Sequence, residues 1–245
     1  MKKWYEKKTE ERIVISSRVR LARNLAEYHF AGRMKDEECE ALAGRVRGMA
    51  AAFEGKEAMK YYSCSVNKLS ELEKASLSEW YIISELLAKK RQETARVGSE
   101  DAGISIMVNE EDHIRIQAVA PGADLEGAYA RAALIDESLE ELGYAYDDRY
   151  GYLTTSPLNV GTGMRASFLL FLPGVTMAGK IQKLADEVGK YGVMVRGIPG
   201  DGTKTMGYLY RVSNRKTLGC TECEIIENLR QIAGEIVQQE QKYLE

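Results

Sequence analysis

Two separated segments hold the side chains with the most capacity for chemistry. Val108-Asn-Glu-Glu-Asp-His-Ile-Arg-Ile-Gln117 sets three consecutive acids and an arginine at the end of an apolar run. Tyr152-Leu-Thr-Thr-Ser-Pro-Leu-Asn-Val-Gly-Thr-Gly-Met-Arg-Ala-Ser167 is a turn-rich stretch leading into a strand that carries Arg165. Three adjacent carboxylates repel one another unless a cation lies close. On an extended hairpin end, Glu110 and Asp112 would share one face and Glu111 would take the other. Taken alone, the three acids serve equally well as a solvated turn. The arginines shift that balance. Arg18 and Arg20, in Ser16-Ser-Arg-Val-Arg20, project to one side of an extended chain. Arg115 follows the acids, Arg165 follows Gly161-Thr-Gly163, and Arg196 precedes Gly197-Ile-Pro-Gly-Asp-Gly202. Paired guanidinium forks clamp phosphate oxygens. Acids that hold a cation, beside arginines that hold phosphates, point to phosphoryl transfer onto a basic acceptor.

The elements that must position these residues follow from periodicity. Residues 36–53 read as a helix with an acidic start, and Ser70 to about Arg91 as a second, with Leu72, Leu77, Trp80, Ile83 and Leu87 on one face. Residues 92–103 are polar and glycine-containing and read as a linker. Beyond them, Ile104–Val108 and Ile114–Ala118 read as a hairpin around the acids. A helix over 124–142 ends at Gly143, and a strand spans 165–173. Then come a helix over 179–191, strands at 193–196 and 207–213, and a long helix from Thr221. The expected architecture is α+β: a small, mostly helical N-terminal lobe over residues 1–92, then an antiparallel sheet flanked by helices over 93–245.

The chain has 245 residues, enough to bury a large core, and a net charge of -3, which gives no field favouring nucleic acid or an anionic membrane. No apolar run reaches the roughly 20 residues of a membrane span, and the charged start Met1-Lys-Lys-Trp-Tyr-Glu-Lys-Lys8 has no apolar signal core, so a cytoplasmic location is expected. Cys39, Cys64, Cys220 and Cys223 are too scattered for a disulfide framework. Cys220-Thr-Glu-Cys223 has no second pair to complete a zinc site. It reads as two thiols in the first turn of a helix, where thiol pKa falls and a redox role stays open. There is no Walker A loop and no protein-kinase glycine loop with its lysine, so a bound nucleotide must be held by arginines.

Taken together, Ser16-Ser-Arg-Val-Arg20, Val108 to Arg115, Ser156 to Ser167, Val195-Arg-Gly197 and Val212-Ser-Asn214 resemble the phosphagen (ATP:guanidino) kinase family, which includes creatine and arginine kinases. The likeness is greatest to the bacterial protein-arginine kinases. The resemblance implies transfer of the ATP γ-phosphoryl group, with Mg2+, to a guanidinium nitrogen. It implies that Arg18, Arg20, Arg115, Arg165 and Arg196 bind the nucleotide phosphates. Glu111 would orient the acceptor and act as base, and Asp201 would be a second acceptor-binding carboxylate. The partners it implies are a protein with an exposed arginine, or a small guanidine, and an activator protein.

The chain departs from that pattern in five respects. Ser156 stands where the family has a reactive cysteine, so a neutral hydroxyl replaces a thiolate. Leu169 and Tyr81 stand where relatives place histidines near the adenine. The chain stops about where the shared catalytic domain ends, without the further C-terminal domain expected of protein-arginine kinases. Its N-terminal lobe is short, which favours a protein arginine over a free metabolite. Three functions compete: a guanidino kinase acting on protein arginine, a pseudo-kinase that binds nucleotide or (phospho)arginine, and a kinase for free arginine or another small guanidine.

Overall fold

The computed structural model describes residues 2–7, 12–198, 203 and 207–244. Its elements run β1 (Val14–Arg23), α1 (Asp36–Gly48), α2 (Ala50–Glu57), β2 (Tyr61–Ser65), α3 (Glu71–Glu79), α4 (Glu85–Lys89), β3 (Ala95–Ser99), β4 (Ile104–Val108), β5 (Ile114–Pro121) and α5 (Leu125–Leu139). They continue with β6 (Tyr146–Asp147), β7 (Gly151–Tyr152), β8 (Met164–Phe171), α6 (Pro173–Met177), α7 (Ile181–Gly189), β9 (Val193–Ile198), β10 (Leu209–Asn214) and α8 (Glu222–Leu244). Eight strands form one antiparallel sheet in the order β2-β3-β4-β5-β1-β8-β10-β9. The architecture is the expected α+β arrangement, a sheet flanked by helices.

Alternation along the strands divides the sheet into two chemically different faces. Val19 and Leu21, Ile114 and Ile116, Ala166 and Phe168, and Tyr210 and Val212 point to one face and are buried. They form a core with Leu42 and Val46 of α1, Phe53 of α2, Ile135 and Leu139 of α5, and Leu229 and Ile236 of α8. Long α8 is also fixed through Glu240, whose fully buried carboxylate accepts the Gly174 and Val175 N–H groups at 2.6 and 2.9 Å. That anion satisfies the free donors at the start of α6.

Two expectations are corrected. The linker read over 92–103 contains β3, hydrogen-bonded on both sides. Its polar look comes from Arg96, whose Nε donates to Ser105 Oγ at 3.3 Å, while Ala95 and Val97 point into the core. The single helix read from Ser70 to Arg91 is two helices. Ser70 caps α3 in a capping box with Glu73, the chain turns through Tyr81 at φ 55°, and Ser84 caps α4. The break leaves Leu72 and Trp80 exposed and lets Ile83 and Leu87 pack with Val66 and Met107 in a second small core. β1 sits inside the sheet between β5 and β8, and β2 pairs with β3, so sheet hydrogen bonding crosses the division expected at residue 92. Among the described residues no helix is long and apolar enough to cross a membrane.

Candidate active site

The second face of the sheet is polar, and its residues meet by register. Arg20 lies directly opposite Arg165, and Arg18 opposite Ser167. Arg211 lies opposite Arg196 on one side and Leu169 on the other. Like charges opposed across strands repel each other. Arg18, Arg20, Arg115, Arg165, Arg196 and Arg211 line one cleft of about 640 Å3, together with Glu111, Ser156 and Tyr81. Five of these arginines follow from the sequence motifs. Arg211 does not, although Leu209, Arg211 and Ser213 alternate with buried Tyr210 and Val212, and that parity was readable.

Little in the cleft neutralises this charge. Arg18 is buried, and its Nε has no hydrogen-bond partner. Burial, and then Arg20 and Arg211, hold its pKa well below the arginine range. Burial, followed by Arg115 and Arg211, pushes Arg20 down to about 9, which leaves it charged at neutral pH. Burial also lowers Arg165, with Arg196 adding to the effect, and lowers Arg211. Guanidinium groups held this way lack the anion that would offset their desolvation.

The acids occupy one end of the cleft, but not with the alternation expected of a strand. Residues 109–113 make a tight turn: Asn109 has φ 61°, its N–H donates to the His113 carbonyl at 2.8 Å, and Glu110 N–H donates to the Asp112 carbonyl at 3.1 Å. Each acid therefore points its own way. Glu110 is fully buried and accepts from Arg115 Nη1 at 2.5 Å and from the Glu111 N–H at 2.8 Å. The Ser84 hydroxyl at the start of α4 also donates to Glu110. Glu111 faces the cleft and accepts from Arg115 Nη2 at 3.0 Å. Asp112 turns away and accepts from Asn24 Nδ2 and the Thr155 N–H, each at 2.7 Å. It thereby ties the acidic turn to the loop carrying Ser156. His113 closes the turn in its neutral form. Nδ1 accepts the Leu25 N–H at 3.0 Å, so Nε2 donates to the His29 carbonyl at 2.7 Å, and burial lowers its pKa.

The loop over 153–163 is held from below. Gly161 and Gly163 have φ of 110° and 64°, and a Cβ on them would overlap the backbone of Thr217 and of Ala22 respectively. Arg23, 2% exposed, donates through Nη1 to the Ala22 and Thr162 carbonyls at 2.9 and 3.0 Å. Its other nitrogens clasp Asp136 of α5, and its guanidinium lies 3.5 Å from the centre of the Tyr152 ring.

Residues 42–243 match the ATP:guanido phosphotransferase C-terminal catalytic domain. This chain belongs to that family. It is 41% identical over 234 residues to a protein-arginine kinase of Halothermothrix orenii, covering 95% of this chain and 66% of that one. It is 44% identical over 237 residues to a protein-arginine kinase of Pelotomaculum thermopropionicum, with the same coverage of 95% and 66%. The chain spans about two thirds of the length of these curated relatives. Its fold is similar to lombricine kinase, with a TM-score of 0.81 at 20% identity over 96% of this chain and 68% of that one. It is also similar to the substrate-free duplicated taurocyamine kinase of Schistosoma mansoni, with a TM-score of 0.79 at 25% identity over 93% and 33%.

In this member of the family, the remaining sequence-marked residues divide. Ser156 lines the cleft next to Thr155, whose N–H binds Asp112, and its carbonyl accepts from Thr154 Oγ1 at 2.7 Å. Tyr81 reaches the cleft because Gln117 Nε2 donates to its carbonyl at 2.6 Å. Leu169 is on the arginine face but half-buried and outside the cleft lining. Asp201 lies outside the described residues. Cys220 precedes α8 and does not behave as expected for a helix start: burial, then Glu224 and Glu222, push its thiol up rather than down. Thr221, not a cysteine, caps α8 with Glu224.

Proposed function

We propose that this chain transfers the γ-phosphoryl group of ATP to a guanidinium nitrogen, and that the acceptor is an arginine side chain of a protein. The observation that carries the proposal is the cleft itself: six guanidinium groups converge, with the carboxylate of Glu111 at their end. Charge spreads over the transferring oxygens in such a reaction, and prepositioned cations stabilise it. Arg18, Arg20, Arg165 and Arg196 would hold the phosphates, which supply the missing counter-charge. Mg2+ would be carried on the phosphate oxygens and shield their charge; among the described residues no cluster of three or more His, Cys, Asp or Glu could hold a metal.

Arg115 has a second task. It now pairs with Glu111 at 3.0 Å. An acceptor guanidinium is the same chemical group, so it can replace Arg115 on Glu111 while Arg115 turns to the phosphates. Glu111 then aligns the acceptor nitrogen and takes its proton, which is otherwise held with a pKa above roughly 12. The names of the relatives, protein-arginine kinases, favour a protein acceptor over a free guanidine.

One observation favours a second reading. Ser156 in the cleft offers a hydroxyl and no negative charge. A binding or regulatory module for nucleotide or (phospho)arginine, without turnover, would need no more. Mass spectrometry under conditions that spare acid-labile bonds separates the readings, after incubation with magnesium-ATP and an arginine-rich protein. Phosphoarginine is expected on the protein and not on free arginine. Its absence, with ADP still bound, selects the binding module, and turnover of free arginine alone moves the acceptor to a small guanidine. Ser156→Cys should raise the transfer rate roughly tenfold or more, because the thiolate adds charge beside the acceptor. An inactive protein left inactive by that change argues for the binding module.

A further inference from the structure

Arg211 belongs to none of the motifs that mark the other cleft arginines, yet it lies among them. Its guanidinium carbon is 5.3 Å from the centre of the Tyr81 ring, and it faces Arg196 across the strands. The carboxylates at the cleft are engaged elsewhere: Glu110 and Glu111 bind Arg115, and Glu85 pairs with Lys89. Two other arginines of this fold are built differently. Arg23 is clasped by Asp136, and Arg131 by Glu57 and Asp101. A buried guanidinium kept for structure has its acid beside it. Arg211 has an aromatic face and three like charges. Arg18, Arg20 and Arg211 line the same cleft, close enough that the charge of Arg211 acts against those of the other two.

We propose that Arg211 is a sixth phosphate-binding residue, contacting the nucleotide's phosphates on the Tyr81 side of the cleft, opposite the end held by Glu111. This rests on the nucleotide-binding reading above. It follows that Arg211 adds affinity for the polyphosphate itself, with or without a nucleoside, and that Tyr81 holds the guanidinium over the site before the ligand arrives.

Calorimetric titration of magnesium-ADP and of inorganic tripolyphosphate into the wild-type chain, Arg211→Ala, Arg211→Lys and Arg20→Ala tests this, with ligand-free melting temperatures measured alongside. Arg211→Ala should weaken both ligands by about tenfold or more, the loss of one charge-assisted contact, and Arg211→Lys should recover part of it. The ligand-free Arg211→Ala protein should melt higher than wild type, because one of several buried like charges is gone. A lower melting temperature with unchanged affinity would make Arg211 a structural residue. Weakened ADP with unchanged tripolyphosphate would place it on the nucleoside, and either result overturns the proposal. If Arg20→Ala abolishes binding while Arg211→Ala leaves it intact, only the role of Arg211 is lost. A wild-type chain that binds neither ligand removes the nucleotide reading along with it.

Discussion

Glu111→Gln should slow phosphoryl transfer by a factor of about 10²–10⁴ while leaving magnesium-ADP affinity within about twofold. The substitution keeps the size of the side chain and an acceptor oxygen for Arg115, now 3.0 Å away. It removes the charge that attracts the acceptor guanidinium and the base that takes its proton. In the proposed reading the phosphates would be held by Arg18, Arg20, Arg165 and Arg196 on β1, β8 and β9, which do not depend on Glu111. The effect should therefore fall on kcat and on acceptor KM, not on nucleotide binding. Stopped assays with protein substrate, paired with ADP titrations, read the two quantities separately. Turnover within about threefold of wild type would show that Glu111 neither orients nor deprotonates the acceptor. A parallel collapse of ADP affinity would instead mean that the carboxylate holds Arg115 in place for the phosphates.

Glu110 explains why the middle acid can be spared for this task. It is fully buried and binds Arg115, the Glu111 N–H and the Ser84 hydroxyl. Its charge is used up in fixing its neighbours. Asp112 is used up on Asn24 and the loop that carries Ser156. Of three consecutive carboxylates, two build the turn and one is presented. Strand alternation could not reveal that division, because a left-handed Asn109 replaces the pleat with a turn. Composition shows three acids. Only the folded turn shows which of them is free to act.

The same contrast runs through the fold. Strands such as Ile114–Pro121 and Met164–Phe171 were legible because each apolar run is interrupted by polar residues two apart, Arg115 and Gln117 or Arg165 and Ser167, as two-faced strands require. The arginines two apart in Ser16–Arg20 could be placed on one side for the same reason. Strand β3 was not legible, because its apolar set is only Ala95 and Val97, and Arg96 and Gly98 give it the look of a loop. The break at Tyr81 carries no glycine or proline. It is imposed by tertiary contacts, with Gln117 holding the Tyr81 carbonyl and Ile83 and Leu87 drawn into a pocket beside Met107. Local sequence favours one continuous helix there, and packing overrides it. Arg211 was missed for another reason: it directly precedes the Val212-Ser-Asn214 motif without being part of it, and its partners are assembled only by the sheet.

Asp136→Ala should be the most damaging single change outside the cleft. Asp136 accepts Arg23 Nη2 at 2.6 Å and the Tyr144 hydroxyl at 2.8 Å, and Arg23 is 2% exposed. Removing the acid strands a guanidinium in the interior, a loss of about 3–5 kcal/mol. For a chain of this size the melting temperature should fall by about 6–20 °C. The damage should reach the cleft as well. Arg23 also bonds the Thr162 carbonyl at 3.0 Å, and Thr162 sits in the Gly161–Gly163 turn that aims Arg165 at its opposite number, Arg20. An Arg23 that shifts to find a new partner pulls that turn with it, so ADP affinity in the surviving folded protein should drop too. Asp136→Asn separates the causes. It keeps the acceptor oxygen and the shape but not the charge, and should lie between Ala and wild type. The pair Arg23→Met with Asp136→Leu removes both charges at once and should recover much of the lost stability without restoring ADP affinity, because the bond to Thr162 is gone. If that pair binds ADP as wild type does, the turn is set by its glycines and by Thr217 alone, and Arg23 is a core ion pair with no reach into the site.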